Sequence, residues 1–510
     1  MAAREHVETE RKYDVDGTTA VPLGEGDATP GVGAVIQIQL DAVYFDTPAL
    51  DLHRRGITLR RRTGGDDEGW HVKVPRGRDE KTELRHPLGR AVRSVPRQVA
   101  DPVRAIVRDR PLVPVAAIAT DRTAYTLLSA ARPLATLCDD RVCARLLNGE
   151  DDHGEQAWRE WELEAVEGQP ASVFRSIEPL LLGSGARPAD HASKLDRILA
   201  THAGDREPKE PTCGPKGSLA ALLRDRLVQQ ISALHEQDAA VRAGSPEGVH
   251  RLRIAARRLR SALTTAKPLF EQAPEDLLGE LRWLGQVLSP ARDTQVIRER
   301  LEAALSAEPR ELVLGPARRR LRIELAHEHK DALARAREAL GSTRYYRLLD
   351  ALDALVADLP LAPAARAPAR LVLGDLVRRD AMRLHRAARA VAESDAAGHD
   401  PALHEARKKA KRLRYAAELA VPAGGRRAKR LAKRAKAVQQ ALGQHQDTVV
   451  ARQRLRQLGA QSFLRGENGF TFGLLHGVER LRAEHAELEF QSAWVRMPRP
   501  RTAAAWVSKR

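Results

Sequence analysis

Cysteine is nearly absent from this 510-residue chain, and its three thiols, Cys138, Cys143 and Cys213, cannot build a disulfide framework. Cys138 and Cys143 are an odd number of positions apart, so on one strand they would face opposite ways and could not share a metal. Aromatic residues make up only 4% of the chain, which leaves few platforms for stacking the bases of a single-stranded nucleic acid. No apolar run approaches the roughly 20 residues a membrane span needs. The N-terminus is too charged for a signal peptide. The expected compartment is therefore a reducing cytoplasm, with no membrane partner.

Charge is not scarce. Charged residues are 30% and hydrophobic residues 43%, the composition of a folded, soluble protein long enough for two or three domains. The net charge of +17 is unevenly placed. Residues 1–205 hold 28 Lys+Arg against 33 Asp+Glu, a net of −5, and residues 206–510 hold 57 against 35, a net of +22. The basic part invites a polyanion.

Composition changes at "GDREPKEPTCGPKG" (204–217), which reads as a linker. The expected layout is a first domain over 1–203, a linker over 204–216, a second domain over 217–497 and a basic tail over 498–510. In the first domain, short alternating segments separated by turns predict an antiparallel sheet, with helices near 101–110, 171–182 and 189–203. The second domain reads as amphipathic helix almost throughout, and it repeats. "HRLRIAARRLR" (250–260) aligns with "HEARKKAKRLR" (404–414) at an offset of 154, and Asp293 and Asp447 keep that offset. Two related helical halves are expected.

The strands of the first domain put ionisable residues on one face. Glu8, Glu10 and Lys12 alternate along "HVETERKYDV", and Arg60 and Arg62 along "GITLRRR". Lys73 alternates with Trp70, Val72 and Val74, and Glu83 shares a face with Arg85. Glu160, Glu162 and Glu164 lie opposite Trp161, Leu163 and Ala165. A merely solvated face gains nothing from like charges two positions apart. The acidic clusters stand at the two ends of the domain, so pairing of the first and last strands would gather up to five carboxylates. Such a set suits a hard divalent cation, Mg²⁺ or Mn²⁺. Arg60, Arg62, Lys73, Arg85 and Arg122 would serve a polyanion. Metal ligands beside phosphate-binding cations are the equipment of phosphoryl transfer.

"ETERK" resembles the E-x-E-x-K signature of the CYTH superfamily, the triphosphate tunnel metalloenzymes. The resemblance continues in order through "VYFDTPALDLHRRGITLRRR", "WHVKVP", "TELR", "DDRV", "EWELE" and "HASKLDRIL". It implies an α+β domain built on an eight-stranded antiparallel β-tunnel, charged faces inward, with a triphosphate inside. Glu8 and Glu10 match the metal-binding pair, joined by Glu160, Glu162 and Glu164. Lys12, Arg60, Arg62, Lys73, Arg85, Arg122 and Lys194 match positions that grip phosphates or line the tunnel. Glu83 and one of Asp139 and Asp140 match acidic tunnel positions, with Asp140 counted among the metal ligands. His53, His71 and His191 are expected as wall histidines, because the resemblance implies metal-activated water.

On a helix, His250, Arg253, Arg257 and Arg260 fall within a narrow arc, with Leu252, Ala255, Leu259 and Leu263 on another face. His404, Arg407, Lys411 and Arg414 repeat this geometry. A solvated helix would alternate acid and base for stability; an almost purely basic stripe, twice, asks for an anion. This half resembles a CHAD domain, the conserved-histidine helical module often found behind a CYTH domain. The resemblance implies an all-α domain of two pseudo-symmetric bundles with a basic groove for inorganic polyphosphate. Its expected contacts are His250, Arg253, Arg257, Arg260, His404, Arg407, Lys408, Lys411, Arg412 and Arg414, with Asp293 and Asp447 orienting basic side chains.

Together these readings predict a cytoplasmic, Mg²⁺- or Mn²⁺-dependent hydrolase of inorganic triphosphate or a related short chain. It would be fused to a module for long-chain polyphosphate and associated with polyphosphate granules. No specific nucleic-acid partner is expected. The alternatives are an adenylate cyclase, a thiamine or nucleoside triphosphatase, or a non-catalytic polyphosphate adaptor.

Overall fold

The computed structural model describes residues 4–506 apart from 24–29, 78, 92, 130–131, 148–153, 170 and 203–216. The expected linker, Cys213 and the end of the tail (507–510) lie outside the described residues. The chain divides into two compact units, Met1–Lys209 and Glu210–Arg510.

The first unit is a closed antiparallel barrel of eight strands: β1 (Arg4–Asp14), β2 (Gly31–Asp46), β3 (Thr58–Thr63), β4 (Gly69–Pro75), β5 (Glu80–His86), β6 (Val113–Ser129), β7 (Arg132–Leu146) and β8 (Gln156–Ala165). The strand order is β5-β4-β3-β2-β6-β7-β8-β1, and β1 closes the ring by pairing β5 through its first half and β8 through its second. A two-residue strand β9 (Arg187–Pro188), absent from the sequence reading, pairs the end of β1.

Two apolar clusters lie on the outer face of the wall. Phe45, Leu59, Trp70 and Val72 pack under the short helices α1 (Arg97–Ala100) and α2 (Arg104–Val107), meeting Val99, Val103 and Val107. Tyr13, Leu137, Trp161 and Leu163 pack under α3 (Phe174–Gly183) through Phe174, Ile177 and Leu181. The side chains between these on each strand point inward, so most of the interior is left to charge.

One end of the interior is apolar. Ala42, Tyr44, Ala116, Ile118, Val142 and Ala144 occupy inward positions and pack against Leu195 and Ile198 of α4 (Lys194–His202). This helix plugs the barrel and delivers Lys194, its first residue, to the charged middle.

The second unit holds nine α-helices among the described residues: α5 (Leu219–Arg242), α6 (Gly248–Ala266), α7 (Glu275–Ala307), α8 (Ala317–Leu340), α9 (Thr343–Ala357), α10 (Ala369–Ala392), α11 (His399–Leu419), α12 (Val421–Leu464) and α13 (Phe470–Val495). Helices α5–α8 and α10–α13 form the two pseudo-symmetric bundles, with α9 between them in sequence. α5 packs on α10, and α6, which carries the first basic stripe, packs on α11, which carries the second. Gly425 sits in a non-helical, positive-φ conformation near the start of α12, so the chain bends there before its long straight run.

Candidate functional site

β1 and β8 pair in a register that sets Glu10 opposite Glu164 and Lys12 opposite Glu162, while β1 sets Glu8 opposite Lys81 of β5. The acidic ends of the domain therefore meet. The cavity they border is also lined by Tyr44, Thr58, Arg60, Arg62, Asp67, Lys73, Arg85, Arg122, Ser193 and Lys194, and it has a volume of about 80 Å³. Such a space holds a few waters and little else, because cations and carboxylates have closed on one another.

The carboxylates fall into two groups. Around β1, Lys73 Nζ lies 2.5 Å from Glu8 and 3.8 Å from both Glu10 and Glu83, and Lys81 Nζ donates to Glu10 at 2.7 Å. Arg85 donates to Glu8 at 3.3 Å and also to Glu83. Burial pushes Glu10 up, but Lys12, Lys73 and Lys81 together outweigh it and hold the carboxyl far below its ordinary range. Glu8 goes the other way: burial, helped by Glu83 and Glu10, outweighs Lys73 and raises it. Burial beside Glu8 and Glu10 lifts Glu164 to about 7.

The second group is Asp140, Glu160 and Glu162. Arg122 donates to both oxygens of Asp140, at 2.7 and 2.6 Å, and to Glu162 at 2.5 Å. Lys12 also pairs with Glu162. Lys194 Nζ reaches Asp140, Glu160 and Glu162 at 2.8, 2.9 and 2.7 Å. Burial opposes ionisation of Glu160 and Glu162, yet these cations hold both carboxyls well below normal. Asp139, one residue from Asp140, points through the wall instead and accepts from Arg159 and the Trp161 indole. Of the "DD" pair, Asp140 is therefore the one that faces the barrel interior.

Phosphate-binding candidates ring the same space. Arg60 donates to the Tyr44 hydroxyl at 3.2 Å, and Arg62 pairs with Asp67. Burial and the repulsion of Arg60 and Arg122 bring Arg62 down to about 10. His71 sits between Glu83 (2.8 Å) and the Asp67 carbonyl (2.9 Å), His191 lies 3.4 Å from Glu160, and His53 lies 3.7 Å from Asp196. These are wall contacts.

In the helical unit, burial and the charges of Arg257, Arg407, Arg253 and Arg260 bring Lys411 down to about 6, so the two stripes form one basic cluster. Arg257 Nε donates to the Tyr415 hydroxyl at 2.7 Å, tying the first stripe to the second. His404 meets Gln446 at 2.7 Å, Arg414 donates to Glu418 and Gln439, and Arg253 donates to Asp293 at 3.2 Å. Burial and repulsion from Arg292 lower His250. Two expected contacts turn elsewhere. Arg412 lies 2.8 Å from Asp380 of α10, and Lys408 pairs at 2.6 Å with exposed Glu405.

A family model for the CYTH domain matches residues 6–192, and one for the CHAD domain matches residues 225–456. The uncharacterized protein Rv2226 of Mycobacterium tuberculosis (strain ATCC 25618 / H37Rv) is 41% identical over 510 residues, covering 96% of each chain. The chain belongs to the CYTH and CHAD families. Among solved structures, PptA from Streptomyces chartreusis aligns with a TM-score of 0.46 at 24% identity, over 55% of this chain and all of its own. A CHAD domain from the plant Ricinus communis aligns with a TM-score of 0.45 at 23% identity, over 57% of this chain and 98% of its own. CYTH proteins are triphosphate-tunnel enzymes that use divalent metals, and CHAD proteins are associated with polyphosphate.

The CYTH barrel of this chain offers a donor set that fits such a metal. Its inward carboxylates are hard oxygen ligands, and Glu8 and Glu164, raised by burial and then by their acidic neighbours, gain most from a cation. Sequence reasoning missed Tyr44, Thr58, Asp67, Lys81 and Ser193 as lining residues. Lys81 had a signal: it stands two positions before Glu83 and four before Arg85, on the face already marked by their alternation. Asp67 had none, because it sits in the turn "TGGDDEG", where alternation does not apply. On the CHAD side, Arg282 and Arg292 of α7, the helix that carries Asp293, add to the cluster.

Proposed function

We propose that the CYTH unit is a divalent-metal-dependent phosphohydrolase acting on inorganic triphosphate or a related short chain, and that the CHAD unit binds inorganic polyphosphate. One observation carries the reading. Among the described residues, eight basic side chains line the barrel cavity (Lys12, Arg60, Arg62, Lys73, Lys81, Arg85, Arg122 and Lys194), and eight carboxylates line or back it (Glu8, Glu10, Asp67, Glu83, Asp140, Glu160, Glu162 and Glu164). A site built only to hold an anion would carry the cations without the acids. With so many acids set against the cations, the interior neutralises a triphosphate fully only when further positive charge accompanies it.

Glu8, Glu10 and Glu164, with Asp140, Glu160 and Glu162, are the residues that would hold Mg²⁺ or Mn²⁺. Bound there, the metal supplies acidified water and draws charge from phosphoryl oxygens. The chain's own cations do the rest. Arg60, Arg62, Arg122, Lys12, Lys73, Arg85 and Lys194 exchange carboxylate partners for phosphate oxygens and hold the chain in line. Burial removes competing water and strengthens each of these contacts. Among the described residues, Tyr44 is the only aromatic one lining the cavity, and its hydroxyl is taken by Arg60. That favours a base-free phosphate chain over ATP or thiamine triphosphate.

The test is phosphate release from inorganic triphosphate with Mg²⁺ or Mn²⁺. The double variant Glu8→Gln/Glu10→Gln should lose about 10²-fold or more in rate. Absence of turnover by folded, metal-supplied wild-type protein would overturn the triphosphatase reading. Formation of cyclic AMP from ATP would replace it with a cyclase.

A further inference from the structure

Asp140, Glu160 and Glu162 each place a carboxylate oxygen within 4.8 Å of the others, the spacing of a cation site. The centre of that group is taken by Lys194. Its ammonium lies 2.8 Å from Asp140 Oδ2, 2.9 Å from Glu160 Oε1 and 2.7 Å from Glu162 Oε1. Three hard oxygens from two adjacent strands meet at this ammonium, Asp140 Oδ2 also accepting from Arg122 and Glu162 Oε1 also pairing with Lys12, and together they are the donor set a small divalent cation would use.

The helix that carries Lys194 is anchored independently of it. Leu195 and Ile198 are buried in the apolar plug, and Arg197 pairs with Asp14 at 2.5 Å. Only the flexible stem of Lys194 reaches the carboxylates, so its ammonium can leave by side-chain rotation while α4 stays in place. Ser193 and Lys194 border the cavity, so a released ammonium stays beside Arg60 and Arg122, where a phosphate chain would lie.

Resting on the reading of the barrel as a metal-dependent phosphate site, we propose that Lys194 is the placeholder for a divalent cation. Without metal its ammonium keeps Asp140, Glu160 and Glu162 in ligand positions. Metal entry releases it toward the substrate. The released ammonium is costly to leave buried and unpaired, so a bound phosphate chain favours metal entry, and metal entry favours the chain by the same factor.

The experiment measures Mn²⁺ binding to the full chain without substrate, from the electron paramagnetic resonance signal of free Mn²⁺. Lys194→Met should bind Mn²⁺ about tenfold or more tightly than wild type, because the metal no longer displaces a competing charge. Lys194→Arg, which keeps the charge, should not. A non-hydrolysable imidotriphosphate should tighten Mn²⁺ binding in wild type and do so far less in Lys194→Met. Wild-type protein gives an independent readout: Mg²⁺ should raise acylation of the Lys194 amine in a labelling experiment read by mass spectrometry. Equal or weaker Mn²⁺ affinity in Lys194→Met, or Lys194 labelling unchanged by Mg²⁺, would overturn the placeholder. Tighter binding without triphosphate turnover would keep the placeholder and remove the triphosphatase reading. Turnover with unchanged affinity would do the reverse.

Discussion

At the scale of single residues, Asp139 and Asp140 divide two roles between adjacent positions. Asp140 is fully buried and faces Arg122 and Lys194, whereas Asp139 accepts from Arg159 and Trp161 on the other side of the wall. Asp140→Asn should lower metal-dependent turnover by about tenfold or more while the protein stays folded. Asp139→Asn should leave turnover intact and cost about 1–3 kcal/mol of stability, read by denaturant unfolding, because a partly buried guanidinium loses its charged partner and keeps the Asp16, Gly17 and Thr19 carbonyls. Strand alternation showed that one of the two must face inward, but it could not say which. That choice depends on register, and register follows from pairing with Arg122 and Glu160 on neighbouring strands. Glu8, Glu10 and Lys12 were legible because three charges on one face of a strand have no other economical use.

At the scale of elements, α6 and α11 bring their stripes together, and Lys411 is the member most affected. Its pKa falls from 10.5 to about 6 through burial and the charges of Arg257, Arg407, Arg253 and Arg260. Between those two values the unfolded chain binds a proton that the native cluster refuses. The ligand-free protein should therefore gain stability as pH rises from about 6 toward 10. Denaturant titrations at pH 6.5 and 9 check the sign, and Lys411→Met should flatten the difference. On the proposed function, polyphosphate should reverse the preference by favouring the charged amine. Binding at pH 8 should take up about one proton, measured by calorimetry in buffers of different ionisation heat, and affinity should fall as pH rises. Helical angles read from the sequence placed His404, Arg407, Lys411 and Arg414 on one arc. The same angles put Arg412 about 100° from Lys411, off that arc, and its partner Asp380 belongs to a helix without a motif to announce it. The repeat itself was legible because duplicated helices keep both their packing stripe and their charge stripe.

At the scale of the molecule, an acidic β unit and a basic helical unit respond differently to salt. Raising salt from about 50 to 200 mM should weaken long-chain polyphosphate binding by about tenfold or more, since neutralising many phosphates releases many counterions. The KM for triphosphate should move less, because the barrel's charges are buried and poorly screened. The barrel was foreseen as eight strands with charged faces inward. The apolar plug was not, because Ala42, Ile118, Val142 and Ala144 read in sequence like any sheet residues and acquire their place only when Leu195 and Ile198 enter between them. An interior filled with opposed charges and a core laid outside the wall also set the direction in which this protein can evolve. Replacing a buried ion pair with apolar residues of similar volume often strengthens a fold. The inward positions are thus where selection for robustness alone would find its easiest gains. A library screened only for heat resistance should drift toward leucine and methionine at Glu162, Arg122 and Lys194, yielding sturdier barrels that turn over nothing.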